Sequence, residues 1–222
     1  IDRASSVRDG LAAGKGEQLA CEAGAAKVYA IEGGPVIDVA QELAVDNGFD
    51  DRIEFLGGWS MEVGIPERAD VLISETIGNA GFDEGIVAWT VDARRRLLRP
   101  DAVLLPQRLR LWVAAAESFD DHAVVSDWQA PSLPYDCSAA YRRAARTLWY
   151  SDLTSNNLLG QAELAADVDL RCATDQTIRS SGTLVVERDG VLHGMACWFD
   201  SLLSPGVTVD NMPEHSESSW SH

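Results

Sequence analysis

The order of apolar runs and helical stretches in the first hundred residues limits this chain more than any single motif does. Runs of strand type occupy Lys27–Glu32, Ile53–Leu56, Asp70–Ile73 and Val103–Pro106. Between them the pattern predicts helices over Glu17–Glu22, from Pro35 to Asn47-Gly48, and over Gly85–Leu98. Pro35 opens its helix because a missing N–H costs nothing in the first turn. Arg94, Arg95, Arg96 and Arg99 gather where helix C-terminal carbonyls favour cations, and Pro100 stops that helix. A strand, a helix and another strand join parallel neighbours through a crossover. Repeated through residue 106, this order predicts a Rossmann-like α/β domain over residues 1–106, a mostly parallel sheet with helices on both faces.

Such a sheet binds ligands at the carboxyl ends of its strands, and two acidic stretches fall there. The first begins with Gly10, Gly14 and Gly16 ahead of the first helix and finishes at Glu32, the end of the next strand. A glycine turn, a helix, a strand and then a carboxylate make up the first unit of a nucleotide-binding fold. The glycines let backbone approach the ligand, and the acid accepts hydrogen bonds from ribose hydroxyls. The second stretch is Ser74-Glu75-Thr76-Ile77-Gly78-Asn79-Ala80-Gly81-Phe82-Asp83-Glu84. Asp70–Ile73 leads into it, so Glu75 is expected at the carboxyl end of a strand and Glu84 on the first turn of the following helix. Two carboxylates returned to one mouth by a small loop suit a planar cation, because each accepts paired hydrogen bonds from a guanidinium. Both acids also fit plain structural duty, Glu75 ending a strand and Glu84 meeting a helix dipole, and the local pattern leaves the two readings open.

Residues 107–222 have another pattern. Leu109, Leu111 and Val113 alternate with Arg110, Trp112 and Ala114, the period of a half-buried strand. Residues 138–149 read as a short helix. Gly182–Glu187 and Val191–Phe199 flank Arg188-Asp189-Gly190, which predicts a hairpin. This half is expected to be β-rich and antiparallel with a helical insert. The formal net charge of −17, from 35 Asp and Glu against 18 Lys and Arg, repels a nucleic-acid backbone and favours cationic partners. No apolar run approaches the ~20 residues of a membrane span, and no basic-then-apolar leader opens the chain. Ile1 in place of Met implies a start that lies upstream or was processed off. Cys21, Cys137, Cys172 and Cys197 form no CxxC, which points to buried free thiols in a reducing cytoplasm, with no metal site.

Together these stretches resemble the protein arginine methyltransferases, which use S-adenosylmethionine. Ala23–Glu32 looks like that family's strand ending in a ribose-binding acid. Glu67–Glu75 is similar to the segment leading into its double-glutamate loop, and Glu75 and Glu84 fall at the spacing of that loop's acids. Leu98-Arg99-Pro100-Asp101 and Leu105-Pro106 match its next landmarks. His193-Gly194 with Trp198-Phe199-Asp200 resembles a strand of its β-barrel, and residues 135–160 resemble its dimerisation arm. The resemblance implies a class I methyltransferase with an antiparallel β-barrel-like domain over 107–222, whether complete or not. It implies that Glu75 and Glu84 bind and polarise a guanidine while Glu32 anchors the cofactor ribose. Gly10 and Gly14 would shape the cofactor turn, and Met61 and Glu62 would lie near the adenine. It also implies a cationic protein or peptide substrate and a homodimer. Thr76, where the family has an aromatic residue, and Ser218-Ser219-Trp220, where it has Thr-His-Trp, keep a small-molecule or other amine substrate open. The altered glycine turn and short C-terminus keep open an impaired or truncated homologue that acts as a binding module.

Overall fold

Why β2 (Lys27–Glu32) reads as one continuous apolar run is explained by where its side chains go. Val28 and Ala30 join Cys21, Ala25, Ala44 and Ile53 in one cluster. Tyr29 and Ile31 join Leu72, Ile86, Val87 and Leu104 in another. Successive strand residues point to opposite faces, so both faces of this strand are buried, as in a helix-covered parallel sheet. The computed structural model describes residues 5–9 and 14–213. Within them β1 (Ser5–Asp9), β2, β3 (Ile53–Gly57), β4 (Ala69–Ser74) and β5 (Leu98–Leu105) form one parallel sheet in the order β3-β2-β1-β4-β5. Helices α1 (Lys15–Glu22) and α2 (Val36–Asp46) supply the first face, and α3 (Ile86–Arg96) supplies the second.

The chain builds outward from β1 to β3 and then returns to the other side of β1 for β4 and β5. That reversal puts the ligand crevice at the carboxyl ends of β1 and β4. Asp9 stands opposite both Ile31 and Ser74, so β2 and β4 finish level on either side of β1. Glu32 and Glu75 are each the next residue along, two strand spacings or ~10 Å apart across the sheet.

The second sheet is antiparallel, in the order β7-β6-β8-β9, built from β6 (Arg108–Ala116), β7 (Glu163–Asp169), β8 (Gly194–Ser204) and β9 (Val207–Asp210). β6 and β8 pair without interruption from Arg108 opposite Leu202 to Ala116 opposite Gly194. Among the described residues the sheet is open, with β7 and β9 at its edges. Helices α4 (Phe119–Ser126) and α5 (Ser138–Ala144) lie between β6 and β7, and Ser118 caps α4 by accepting the Asp121 N–H. The two sheets share a core, since Leu109, Leu170 and Phe199 are fully buried in the same cluster as Ile86, Leu98 and Leu104.

Several expectations are corrected. Helix α3 begins at Ile86 behind a Gly85 cap, so Glu84 precedes the helix instead of lying in its first turn. It ends at Arg96, before Pro100, because the sheet captures the residues after it: the Leu97 carbonyl accepts the Ala69 N–H at 2.9 Å. Pro100 lies inside β5, where the pairing slips between Ala69 and Val71, a bulged edge strand that tolerates a missing donor. The hairpin over 182–199 does not form, and residues 182–193 make no strand. Their N–H groups bond elsewhere: Glu187 and Arg188 to the Leu159 carbonyl (2.8 and 3.2 Å), and His193 to that of Ala116 (3.0 Å). The segment docks on residues 156–160 and the end of β6, and these tertiary bonds override a local turn signal. Helix α5 stops at Ala144, short of 149. All four cysteines are free, but only Cys21 is buried, and Cys172 is exposed. In the expected arm Tyr135, Leu148, Trp149 and Tyr150 are exposed, while Leu153 and Leu159 turn inward. No described helix is long and apolar enough to cross a membrane. No described cluster of His, Cys, Asp or Glu is arranged for a metal.

Candidate active site

The loop from Glu75 to Gly85 leaves β4 at the crevice and is pinned at three places. Near its start, the Ser74 and Thr76 hydroxyls lie 3.0 Å apart in a hydrogen bond, and Ile77 is buried in the shared core. In its middle it meets the second sheet. Gly81 has a φ of 77°, and a Cβ there would sit 2.7 Å from Phe199 Cβ, so only glycine permits this approach. Asn211, fully buried beyond β9, donates from Nδ2 to the Asn79 carbonyl (2.9 Å) and accepts the Phe199 N–H (2.8 Å). Toward its end the Asp83 carboxylate accepts the Ala80 N–H at 2.9 Å, and Trp89 Nε1–H donates to the Glu84 carbonyl at 2.7 Å.

Glu75 is half-buried and Glu84 is exposed. Partial desolvation, then Asp83, then Glu75 raise the Glu84 carboxyl above the ordinary glutamate value. The two loop acids therefore feel each other, and a cation placed between them would relieve that repulsion.

Across β1, at the end of β2, Glu32 takes the Gly34 N–H on Oε1, and its other oxygen accepts no hydrogen bond from a described residue. Gly14 caps α1 with a φ of 81°, and a Cβ there would lie 3.1 Å from Ala40 Cα. Only glycine lets this turn adopt that conformation and pack against α2. A close glycine turn facing a carboxylate with an open acceptor fits a nucleoside bearing a ribose diol. Gly10 lies outside the described residues, and Gly16 falls within α1. Met61 and Glu62 are exposed on the loop after β3, which starts beside Glu32 because the Gly58 N–H donates to the Glu32 carbonyl at 3.0 Å. The crevice thus brings Glu32, Glu75 and Glu84 to one edge, with Gly14 on the turn into α1 and Met61 and Glu62 on the following loop. Ser218, Ser219 and Trp220 lie outside the described residues.

Sequence reasoning missed Trp59, Trp89 and Asn211. The two indoles stack 6.3 Å apart at 9° between planes. A spacing of five residues between Glu84 and Trp89 is the single local signal for one of these contacts. At the opposite edge of the sheet, Arg94, Arg95, Arg99 and Arg171 line a groove. Part of its charge is balanced internally: Arg99 pairs with Asp70 and Arg171 with Asp169, while Arg94 donates to the neutral Ala173 carbonyl and Arg95 reaches Asp92 only at 4.0 Å.

The strand order, the acid ending β2, the acidic loop after β4 and an antiparallel sheet on the same core define a Rossmann-like α/β fold with an appended β-domain. No protein-family model matches the chain. Its curated relatives include the protein arginine N-methyltransferase PRMT10 of Oryza sativa subsp. japonica, 31% identical over 206 residues, which cover 81% of this chain and 54% of that protein. The protein arginine N-methyltransferase 6 of Xenopus laevis is 27% identical over 212 residues, 90% of this chain and 62% of its own. Among solved structures, the Trypanosoma brucei PRMT1 enzyme-prozyme heterotetrameric complex with AdoHcy aligns at a TM-score of 0.84 and 22% identity, covering 96% of this chain and 69% of that one. Arabidopsis thaliana protein arginine methyltransferase 10, in an open conformation, aligns at 0.80 and 23% identity, covering 100% and 72%. The chain is a homologue of the protein arginine methyltransferases, and it spans about half the length of the curated relatives it matches.

Proposed function

We propose that this chain transfers a methyl group from S-adenosylmethionine to a guanidino nitrogen of arginine in a protein or peptide. The observation that carries the reading is the pair of loop acids, Glu75 directly after β4 and Glu84 just before α3, which one loop returns to the carboxyl edge of the sheet. Bound at this edge, S-adenosylmethionine supplies an electrophilic methyl on a sulfonium. Glu32 would hold the ribose, and Gly14, with a φ of 81°, would let the nucleoside approach the backbone closely. A guanidinium keeps its proton at physiological pH. Glu75 and Glu84 accept its N–H groups, draw positive charge toward the nitrogens they hold, and turn the remaining nitrogen toward the methyl. The gain is mainly orientation and exclusion of water. Met61 and Glu62, exposed on the loop after β3, would border the base. The acidic surface favours cationic substrates and disfavours nucleic acid. Exposed Tyr135, Trp149 and Tyr150 on one segment support a homodimer, and four free thiols accord with a cytoplasmic location.

The test is methylation of an arginine-rich peptide by the parent, Glu75→Gln, Glu84→Gln and the double variant, with S-adenosylhomocysteine titrated in parallel. Each single change is expected to cost roughly 2–5 kcal/mol in transition-state stabilisation. The double change should add little, because one carboxylate alone cannot hold the group in line. Cofactor affinity should stay at the parental value. Parental turnover in Glu75→Gln would remove the reading.

A further inference from the structure

We propose that Trp89 is a positioning residue for Glu84, and that Trp59 braces it from the cofactor side of the crevice; this rests on the methyltransferase reading above. The geometry runs unbroken between the two halves of the site. Trp59 lies over Gly33, the residue after Glu32, such that a Cβ on Gly33 would be 3.4 Å from its indole. Trp59 stacks on Trp89. Trp89 covers Gly85, where a Cβ would be 3.0 Å from Nε1, and its N–H holds the Glu84 carbonyl. Glu84 is thereby fixed by a side chain one helical turn ahead, through a backbone bond that leaves its carboxylate free to point at the crevice.

The need for such a restraint comes from charge. Glu84 is exposed, sits directly after Asp83 and is repelled by Glu75, so like charges push it away from the acid it must partner. Helix α3 offers no side-chain cap at Gly85 that would hold the residue in place. An indole N–H on the preceding carbonyl holds the backbone without adding charge. A planar partner stacked behind it keeps the ring from turning, and offset aromatic pairs of this spacing are attractive.

Trp89→Phe keeps the ring and removes the donor. It is expected to lower kcat by about ten- to a hundredfold, the scale on which an ångström of misplacement acts. S-adenosylhomocysteine affinity and the melting midpoint should stay parental. The Glu84 carboxyl carbon, observed by NMR and assigned by its absence in Glu84→Gln, should titrate at lower pH in Trp89→Phe, because the freed carboxylate relaxes further into solvent and away from Asp83 and Glu75. Trp59→Leu should move both readouts in the same direction by less. An active parent with a Glu84 titration unmoved in Trp89→Phe overturns the proposal. A parent inert on every guanidine, with the titration still moved, leaves the positioning intact and ends the arginine reading instead.

Discussion

Glu84 is a residue whose chemistry works against the fold that carries it. Its folded-state pKa lies above the ordinary value, so the folded chain binds that proton more tightly than the unfolded chain does. The stability this confers is complete below the ordinary glutamate pKa and is lost as pH rises through the folded value. At neutral pH the ionised residue therefore weakens the fold. Glu84→Gln should melt higher than the parent at pH 7, and the difference should shrink as melts are repeated toward about pH 4, near the ordinary glutamate value. A variant that gains stability while losing methylation is the pattern expected of a site acid. A melt at pH 7 that is no higher would show that the repulsion is already relieved. The strand-end and loop positions of Glu32, Glu75 and Glu84 were legible in the sequence because strand ends and loop spacing are local. Trp59, Trp89 and Asn211 were not, because their partners are set by packing across the fold: Asn211 meets a carbonyl 132 residues away.

Elements were legible to the degree that their own bonds define them. Both faces of β2 are buried, and its bounds agree with the apolar run; α2 starts after Pro35 and ends before Asn47 as the end signals require. The failed hairpin shows the limit. Asp189-Gly190 favours a turn, yet Arg188 donates to the Leu158 and Asn156 carbonyls (2.8 and 2.7 Å), and Val191 N–H donates to Glu117 Oε1 (2.6 Å). Glu117 is the anchor of that arrangement. The Val191 N–H, opposed by desolvation and helped by Arg188, holds its carboxyl below the ordinary range. A depressed folded-state pKa gives stability that is present above the unfolded value and lost as pH falls through the folded one. Glu117→Gln should therefore speed amide exchange at Val191 and Glu187 at neutral pH, while amides of β2 keep their protection. Acidifying the parent below the ordinary glutamate range should reproduce that loosening. Unchanged exchange at Val191 would mean that contacts to residues 156–160 suffice without the carboxylate.

At the scale of the whole molecule, the proposed homodimer draws on the segment between β6 and β7. Tyr135 is 81% exposed and Tyr150 60%, unusual waste for aromatic rings on a chain otherwise covered in acids. Sedimentation at roughly tens of micromolar, an ordinary interface affinity, should show a dimer. Replacing Tyr135, Trp149 and Tyr150 together by serine should give a monomer with the parental melting midpoint, and a monomeric parent would count against the assembly. The molecule is also ordered in time. Domains form from the N-terminal end as a chain is synthesised, and every strand of the parallel sheet is complete by Leu105. The loop bearing Glu75 and Glu84 is tied to Phe199 and Asn211, which leave the ribosome about a hundred residues later. A nascent chain thus carries a finished parallel sheet, with the ends of its acid loop held by Thr76 and Trp89, while the middle of that loop still lacks its partners. The middle of the proposed acid loop is therefore locked only after β8 and Asn211 have been made, so the parallel sheet can be finished before its loop is fully braced.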